Sequence, residues 1–175
     1  MLASTVAAYA QYQMNVFSID LITAYQISAS RFAFLFTAPM LPAIFLSIPL
    51  GKLSDKIGYR NAIQLGLAFT ILGLTGRIFA ESYSTLWICM AFSGASSITL
   101  FVNSARVLEE VVPAEKSVLF MGIYTTASML AQTFATATSA VLYSTLQKAY
   151  VGALVYAVVI TVIWAGNYCI EKENA

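Results

Sequence analysis

The pattern that most limits how this chain can fold is a series of six long apolar blocks separated by short polar or charged segments. A membrane-spanning helix needs about 20 mostly apolar residues. The blocks lie at about residues 2–19, 31–50, 61–80, 85–107, 117–143 and 150–170. Only 10% of the residues are charged, against roughly 25% in soluble domains. The sequence therefore predicts an integral membrane protein that crosses the bilayer six times.

The blocks predict helices rather than strands. Every backbone amide must be paired within hydrocarbon, and only helices and closed barrels achieve this. Barrel strands are shorter and alternate polar with apolar residues, whereas these blocks show no strict alternation. We therefore expect an all-α fold with one six-helix transmembrane domain over residues 1–175. Its first span is the weakest, because tyrosine, glutamine and asparagine side chains interrupt it.

The composition argues against several classes of function. The chain has no histidine, and its two cysteines, Cys89 and Cys169, lie inside apolar blocks. We therefore expect no metal site, no cofactor and no enzymatic activity. The net charge of +1 comes without a basic stripe, so nucleic-acid binding is not expected. The N-terminus lacks the basic segment of a cleaved signal peptide, because the first basic residue is Arg31.

The distribution of lysine and arginine predicts the orientation of the chain in the membrane. With six spans, one side collects Lys52, Lys56, Arg60, Arg106, Lys116 and Lys172, and the other collects Arg31, Arg77 and Lys148. The cytoplasmic side carries the excess of basic residues. We therefore expect a multi-pass protein of the cell membrane (plasma or inner) with both termini in the cytoplasm.

The segment after the second block carries the most specific motif of the chain. Residues 51–60 read Gly-Lys-Leu-Ser-Asp-Lys-Ile-Gly-Tyr-Arg, between the second and third predicted spans. This segment closely resembles the signature loop of the major facilitator superfamily, Gly-x-Leu-(Ala/Ser)-Asp-(Arg/Lys)-x-Gly-(Arg/Tyr)-(Arg/Lys). The alternative interpretation is a solvated loop that sets the topology only through its positive charge.

The residues of this segment also predict local structure. We expect Gly51 to end the second helix and Gly58 to permit the turn into the third. In the family, acidic and basic residues of this loop hold the cytoplasmic ends of two six-helix halves together in one conformation and release them in another. The gating loop that the resemblance implies consists of Gly51, Asp55, Lys56, Gly58 and Arg60.

The link between the fourth and fifth blocks supports the resemblance. It is similar to the family's Glu-x-x-Pro-x-x-(Arg/Lys) pattern, carried here by Glu110, Pro113 and Lys116. The expected cytoplasmic charge partners of the gating loop are Arg106, Glu109, Glu110 and Lys116. We expect Glu109 or Glu110 to pair with Arg60. The fifth block lacks the Gly-Pro-rich motif of the family's drug–proton antiporters, which argues against a multidrug antiporter.

Polar residues inside the spans are candidates for a solute site, because burying them in the bilayer is costly. Sites of such transporters lie near the bilayer midplane. The candidate substrate cavity consists of Gln11, Tyr12, Asn15, Asn103 and Gln132. For serines and threonines, hydrogen bonding between helices is the favoured interpretation. We expect Asp20, Arg31 and Arg77 to lie near the outer ends of their spans, where side chains reach water. The alternative is that Arg31 and Arg77 form an outer vestibule that attracts anions.

The length of the chain implies a partner. By resemblance, it is one six-helix half of a twelve-helix transporter, closer to the N-terminal half. We expect secondary or facilitative transport of a small-molecule solute by alternating access, in contact with membrane lipid. A lone half exposes its polar first span, so we also expect a second copy, as a homodimer, or a complementary half. The alternatives are a non-transporting subunit that binds a partner protein, and a fragment of a longer transporter.

The fifth block contains a stripe of small residues. Ala127, Ala131, Ala135 and Ser139 recur every four residues. Such spacing lets two helices approach closely. We expect this stripe to face the partner half.

Overall fold

The computed structural model describes residues 2–173, apart from the side chains of residues 2–4, 109, 111, 114 and 167–173. This part of the chain is helical and contains no strand. Its elements are α1 (Leu2–Tyr12), a 3-10 turn (Gln13–Asn15), α2 (Ser18–Ala24), α3 (Ala29–Thr37), α4 (Met40–Ile57), α5 (Tyr59–Ile78), α6 (Tyr83–Val111), α7 (Ala114–Leu142) and α8 (Leu146–Glu173).

Among the residues that the structure describes, four helical segments are long and apolar enough to cross a membrane. They are Ala29–Ile57, Tyr83–Leu108, Glu115–Leu142 and Leu146–Gly166. The first of them joins α3 and α4. The first predicted span corresponds to the interrupted segment from α1 to α2. The third predicted span corresponds to α5, which has 20 residues. A membrane-spanning helical protein is therefore supported, and six crossings stay a prediction.

The first predicted span is not continuous in the structure. α1 ends at Tyr12, and the chain passes through a 3-10 turn before α2 begins at Ser18. The amide of Val16 donates to the carbonyl of Gln13 at 3.3 Å, which is the tighter 3-10 pattern. Met14 and Phe17 are buried on this turn. The break between α1 and α2 is therefore packed inside the bundle and is not a polar loop at the surface.

The predicted gating loop is largely helical. We expected Gly51 to end the second helix, and this was wrong, because α4 continues through Gly51 to Ile57. The turn occurs at Gly58, which has a φ of 80°. Glycine is favoured in that conformation because it has no Cβ, so the expected role of Gly58 is confirmed. Asp55 and Lys56 consequently lie on the last turn of α4.

α1 lies at the centre of the bundle. It packs against α5, α6, α7 and α8. One apolar cluster joins Val6 and Ala10 of α1 to Leu74 of α5 and Ala157 of α8. α5 and α6 form a second tight pair, and α4 packs against both. Any movement of α1 therefore changes contacts on four other helices.

Part of the stripe of small residues on α7 faces into the bundle. Ala135 and Ser139 are fully buried within the chain, and nearby Thr138 lies 3.1 Å from the Tyr9 hydroxyl, between their oxygens. α7 packs against α1 in this region. The expectation that the stripe faces a partner was therefore wrong for Ala135 and Ser139, because these small residues let α1 approach α7.

The threonines of α7 satisfy their hydroxyl groups within their own helix. Thr126 donates to the carbonyl of Gly122 at 2.8 Å, and Thr133 donates to that of Met129 at 3.2 Å. Thr125 donates to the carbonyl of Met121 at 3.1 Å. These three threonines are exposed on the bundle surface. Their hydroxyls need no partner from another helix.

The backbone of α6 at Gly94 lies close to the backbone of the bend between α3 and α4. A Cβ atom added to Gly94 would lie 2.0 Å from the carbonyl oxygen of Pro39. Pro39 separates α3 from α4. Because the obstructing atom belongs to the backbone, it has no rotamer by which to move away. Glycine is therefore required where α6 meets the bend between α3 and α4.

We predict that Gly94→Ala lowers the free energy of unfolding by about 1–3 kcal/mol, the usual cost of forcing an extra group into a packed core. Gly122→Ala on α7 is the matched control, because no atom lies within 4 Å of the added Cβ. Both changes favour the helix by about 1 kcal/mol, so their difference isolates the clash. Thermal unfolding of the purified protein in detergent measures it. Equal unfolding midpoints for the two variants would show that the backbones do not approach as described.

Candidate functional site

An ion pair joins the signature segment to α6 at one end of the bundle. A guanidinium nitrogen of Arg106 lies 2.7 Å from a carboxylate oxygen of Asp55. The Asp55 side chain is 64% exposed and that of Arg106 is 33% exposed. Exposed pairs contribute about 0–1 kcal/mol and are screened by salt. Such a pair can form and break readily.

A buried hydrogen bond lies directly beside this ion pair. The side-chain amide of Asn103, which is fully buried, donates to the Ser54 hydroxyl oxygen at 3.0 Å and to the Thr99 carbonyl at 2.7 Å. Asn103 precedes Arg106 by one helical turn, and Ser54 precedes Asp55 by one residue. α4 and α6 are therefore joined by two adjacent polar contacts, one buried and one exposed.

The remaining charged residues of this end are mostly exposed. Lys56, Glu110 and Lys116 are exposed, and the side chain of Glu109 lies outside the described part. Arg60 contacts its neighbour Tyr59, with Nε donating to the phenol oxygen at 3.1 Å. The expected pairing of Arg60 with Glu109 or Glu110 stays a prediction.

A cavity lies among α1, α6 and α7. Its volume is about 200 Å³, and its polar lining residues are Gln11, Tyr12, Ser97, Tyr124, Ser128 and Gln132. No residue that lines it is charged. Phe101 and Tyr124 form an aromatic wall, with ring centroids 6.1 Å apart. The cavity can therefore offer hydrogen bonds and aromatic surface to a small molecule.

The structure brings together three of the five residues that the sequence predicted for this cavity. Gln11, Tyr12 and Gln132 line it. Asn103 lies elsewhere, in the polar contact with Ser54. Asn15 lies on the 3-10 turn and is exposed. Whether any of these residues contacts a solute stays a prediction.

Comparison with protein-family models decides the family. The model described as Major Facilitator Superfamily matches residues 1–170, which is nearly the whole chain. The chain belongs to this superfamily. Its 175 residues are consistent with a half-size unit. A search of curated proteins finds no match for the sequence.

Membership supports a general function. Proteins of this superfamily are transporters rather than enzymes, and they lie in membranes, in contact with lipid and a small solute. The apolar helices of this member agree with that setting. Its signature segment and its cavity therefore belong to a transporter-type protein.

The sequence missed the most unusual residue of this superfamily member. We expected Arg77 to reach water near the outer end of its span, but this was wrong, because the residue is 2% exposed. Arg77 lies in the last turn of α5, and burying a charge is costly unless it is paired or hydrogen-bonded. In the sequence, only Gly73 and Gly76 indicate that Arg77 is buried, because glycines allow α6 to pack close to this turn of α5. A Cβ on Gly73 would lie 3.0 Å from the Cys89 carbonyl oxygen of α6.

We predict that Asp55 and Arg106 are weakly coupled in stability. A double-mutant cycle of Asp55→Asn and Arg106→Gln should give an interaction energy of about 0.2–1 kcal/mol. The coupling should shrink in about 1 M salt, where the Debye length is near 3 Å. Thermal unfolding in detergent at low and high salt provides both values.

The control cycle pairs Arg106→Gln with Asp20→Asn, because Asp20 is an exposed carboxylate on α2, whereas Arg106 forms its ion pair with Asp55. This control should give no coupling. A coupling between Asp55 and Arg106 that exceeds about 3 kcal/mol would instead indicate a buried, structural pair.

Proposed function

We propose that this protein transports a small solute across the cell membrane by alternating access, as a homodimer of six-helix units with both termini in the cytoplasm. The observation that carries the proposal is the cavity among α1, α6 and α7, into which polar side chains converge from three helices. Family membership supplies the general function. The solute site consists of Gln11, Tyr12 and Gln132, and the gate consists of the cytoplasmic ends of α4 and α6.

The cavity is suited to a solute because its polar groups come from different helices. Gln11 and Tyr12 belong to α1, Ser97 to α6, and Gln132 to α7. A solute that hydrogen-bonds to these groups at once holds the helices in one relative position. Release of the solute removes that restraint. Binding is thereby coupled to the arrangement of the bundle, which is what alternating access requires.

The contact between α4 and α6 is suited to a gate because its two parts differ in strength. The pair of Asp55 and Arg106 is exposed and can exchange partners, whereas the bond from Asn103 to Ser54 is buried and keeps the two helices together. We assign Asp55, Lys56 and Arg60 to contacts that a second six-helix unit makes and breaks. Gly58 supplies the turn that keeps these residues at the end of the bundle.

A second copy has a suitable surface on α7. An open groove beside this helix is lined by Leu130, Ala131 and Phe134, together with Thr5 of α1 and Tyr156 of α8. The cavity opens on an adjacent face of α7, because Ser128 and Ala131 are three residues apart. One partner seated against α7 would therefore cover both openings. A twofold dimer provides such a partner with a single interface.

We predict that purified protein in proteoliposomes takes up at least one of a panel of radiolabelled sugars, amino acids and organic acids. Gln132→Leu should reduce this uptake at least tenfold, because it replaces a cavity amide with an apolar side chain of similar size. Asp55→Asn should also reduce uptake, because it removes the charge of the proposed gate. The matched control is Thr125→Val, an exposed position on the same helix whose hydroxyl bonds to its own backbone.

Two results would contradict the proposal. Uptake no greater than in protein-free vesicles across the whole panel would favour a subunit without transport activity. Equal uptake by Gln132→Leu and Thr125→Val would show that the cavity is not the solute site.

We predict that cysteine introduced at Leu130 cross-links two copies under mild oxidation in the membrane. Leu130 is exposed and lines the groove on α7. The control is Ile44→Cys on α4, an equally exposed position on a helix that packs against α5 and α6. Cross-linked dimers are read by gel electrophoresis without reductant. If no position along α7 forms them, a twofold interface on this helix is excluded.

A further inference from the structure

Arg77 connects four helices from a fully buried position. One terminal nitrogen donates to the carbonyl oxygen of Ala10 in α1 at 2.6 Å, and the other donates to the hydroxyl of Ser93 in α6 at 2.5 Å. The first nitrogen also lies 4.0 Å from the sulfur of Met14. The guanidinium carbon lies 6.0 Å from the centre of the Tyr150 ring in α8.

The charge of Arg77 is balanced without a carboxylate in the described part of the chain. Ala10 lies in the last turn of α1, where carbonyl groups have no donor within the helix. The end of a helix also carries a partial negative charge of about half an elementary unit. The face of the Tyr150 ring is negative as well. The guanidinium therefore interacts with the end of α1 as a cation and as a hydrogen-bond donor.

This balance depends on the break in the first helix. If α1 continued past Tyr12 as a regular helix, the carbonyl of Ala10 would accept from the amide of Met14. The negative end of the helix would move away from Arg77. Arg77 would then share the Ala10 carbonyl with an amide and would no longer face the negative end of the helix. The buried arginine therefore favours the conformation in which α1 ends at Tyr12.

The break lies directly beside the proposed solute cavity. Gln11 and Tyr12, the two polar cavity residues of α1, follow Ala10 immediately in the chain. The hydrogen bond from Arg77 fixes α1 at the Ala10 carbonyl. The positions and orientations of the next two residues are therefore fixed as well. Arg77 itself does not line the cavity, so its influence on Gln11 and Tyr12 passes through the backbone of α1.

We propose that Arg77 is a positioning residue that holds the break in the first helix and thereby places Gln11 and Tyr12 in the solute cavity. The proposal rests on the function proposed above for the role of the cavity. The placement itself is a property of the protein without solute. It can therefore be tested without a transport assay.

The test measures how accessible position 11 is to a water-soluble maleimide in detergent-purified protein. Gln11→Cys is introduced after both native cysteines are replaced by alanine, and its labelling rate is divided by that of Thr125→Cys, an exposed reference on α7. Arg77→Met removes the charge at similar side-chain length. We expect it to raise the ratio about tenfold, as loss of a hydrogen bond from a charged group implies. Arg77→Lys keeps the charge with fewer donors, so a smaller rise is expected.

The matched control is Arg31→Met, because Arg31 is an exposed arginine that also stacks on a tyrosine, with its guanidinium carbon 6.0 Å from the centre of the Tyr83 ring. This control should leave the ratio unchanged. If Arg77→Met does not fold, Ser93→Ala removes one acceptor only and should still raise the ratio. Folded variants at Arg77 or Ser93 that lose thermal stability but keep the wild-type ratio would overturn the proposal.

The two proposals can fail separately. Unchanged labelling in a protein that takes up solute would reject the positioning role alone. Altered labelling in a protein that takes up none of the solutes tested would keep the positioning role and reject transport.

Discussion

The interaction on which the arrangement of the bundle depends is the contact of a buried guanidinium with the end of a broken helix. A buried carbonyl group released by a helix break needs a hydrogen-bond donor from within the protein. Arg77 supplies that donor to Ala10 and also bonds to Ser93. The break and the buried charge are each unfavourable alone, and their contact offsets part of the cost of each, although Nε of Arg77 stays buried without a hydrogen-bond partner. Because α1 packs against four other helices, this one contact sets the geometry around the central helix.

Much of the architecture could be predicted from the sequence because bilayer thickness fixes the length of an apolar helix. The later helices α6, α7 and α8 correspond to the fourth, fifth and sixth predicted blocks, and the turn at Gly58 follows from the preference of glycine for positive φ. The early helices could not be predicted as well. The break after α1 involves a contact between distant segments, that of Arg77 with Ala10, whereas the bend between α3 and α4 lies at Pro39.

The part of the candidate site that could be predicted from the sequence consists of polar residues within apolar blocks. Gln11 and Gln132 were identified because an amide in an apolar block has few structural explanations. Asn103 has the same chemistry, but its partner Ser54 lies on another helix, so only the structure separates it from the cavity. The direction of the Arg77 side chain could not be predicted from the sequence, for a similar reason. An arginine near a helix end can point toward water or into the bundle, and the close packing of α5 against α6 determines which.

The internal hydrogen bonds of the α7 threonines have a mechanical consequence. Because Thr125, Thr126 and Thr133 donate their hydroxyl hydrogens to their own helix, these groups are not free to donate to another helix, and large side chains such as Leu130 and Phe134 make much of the exposed surface of α7 apolar. A partner helix that slides along this surface breaks no hydrogen bond and meets resistance only from shape. The energy barrier to such sliding would therefore contain no term for broken hydrogen bonds. A sequence rich in hydroxyl groups can thus build a sliding contact rather than an adhesive one.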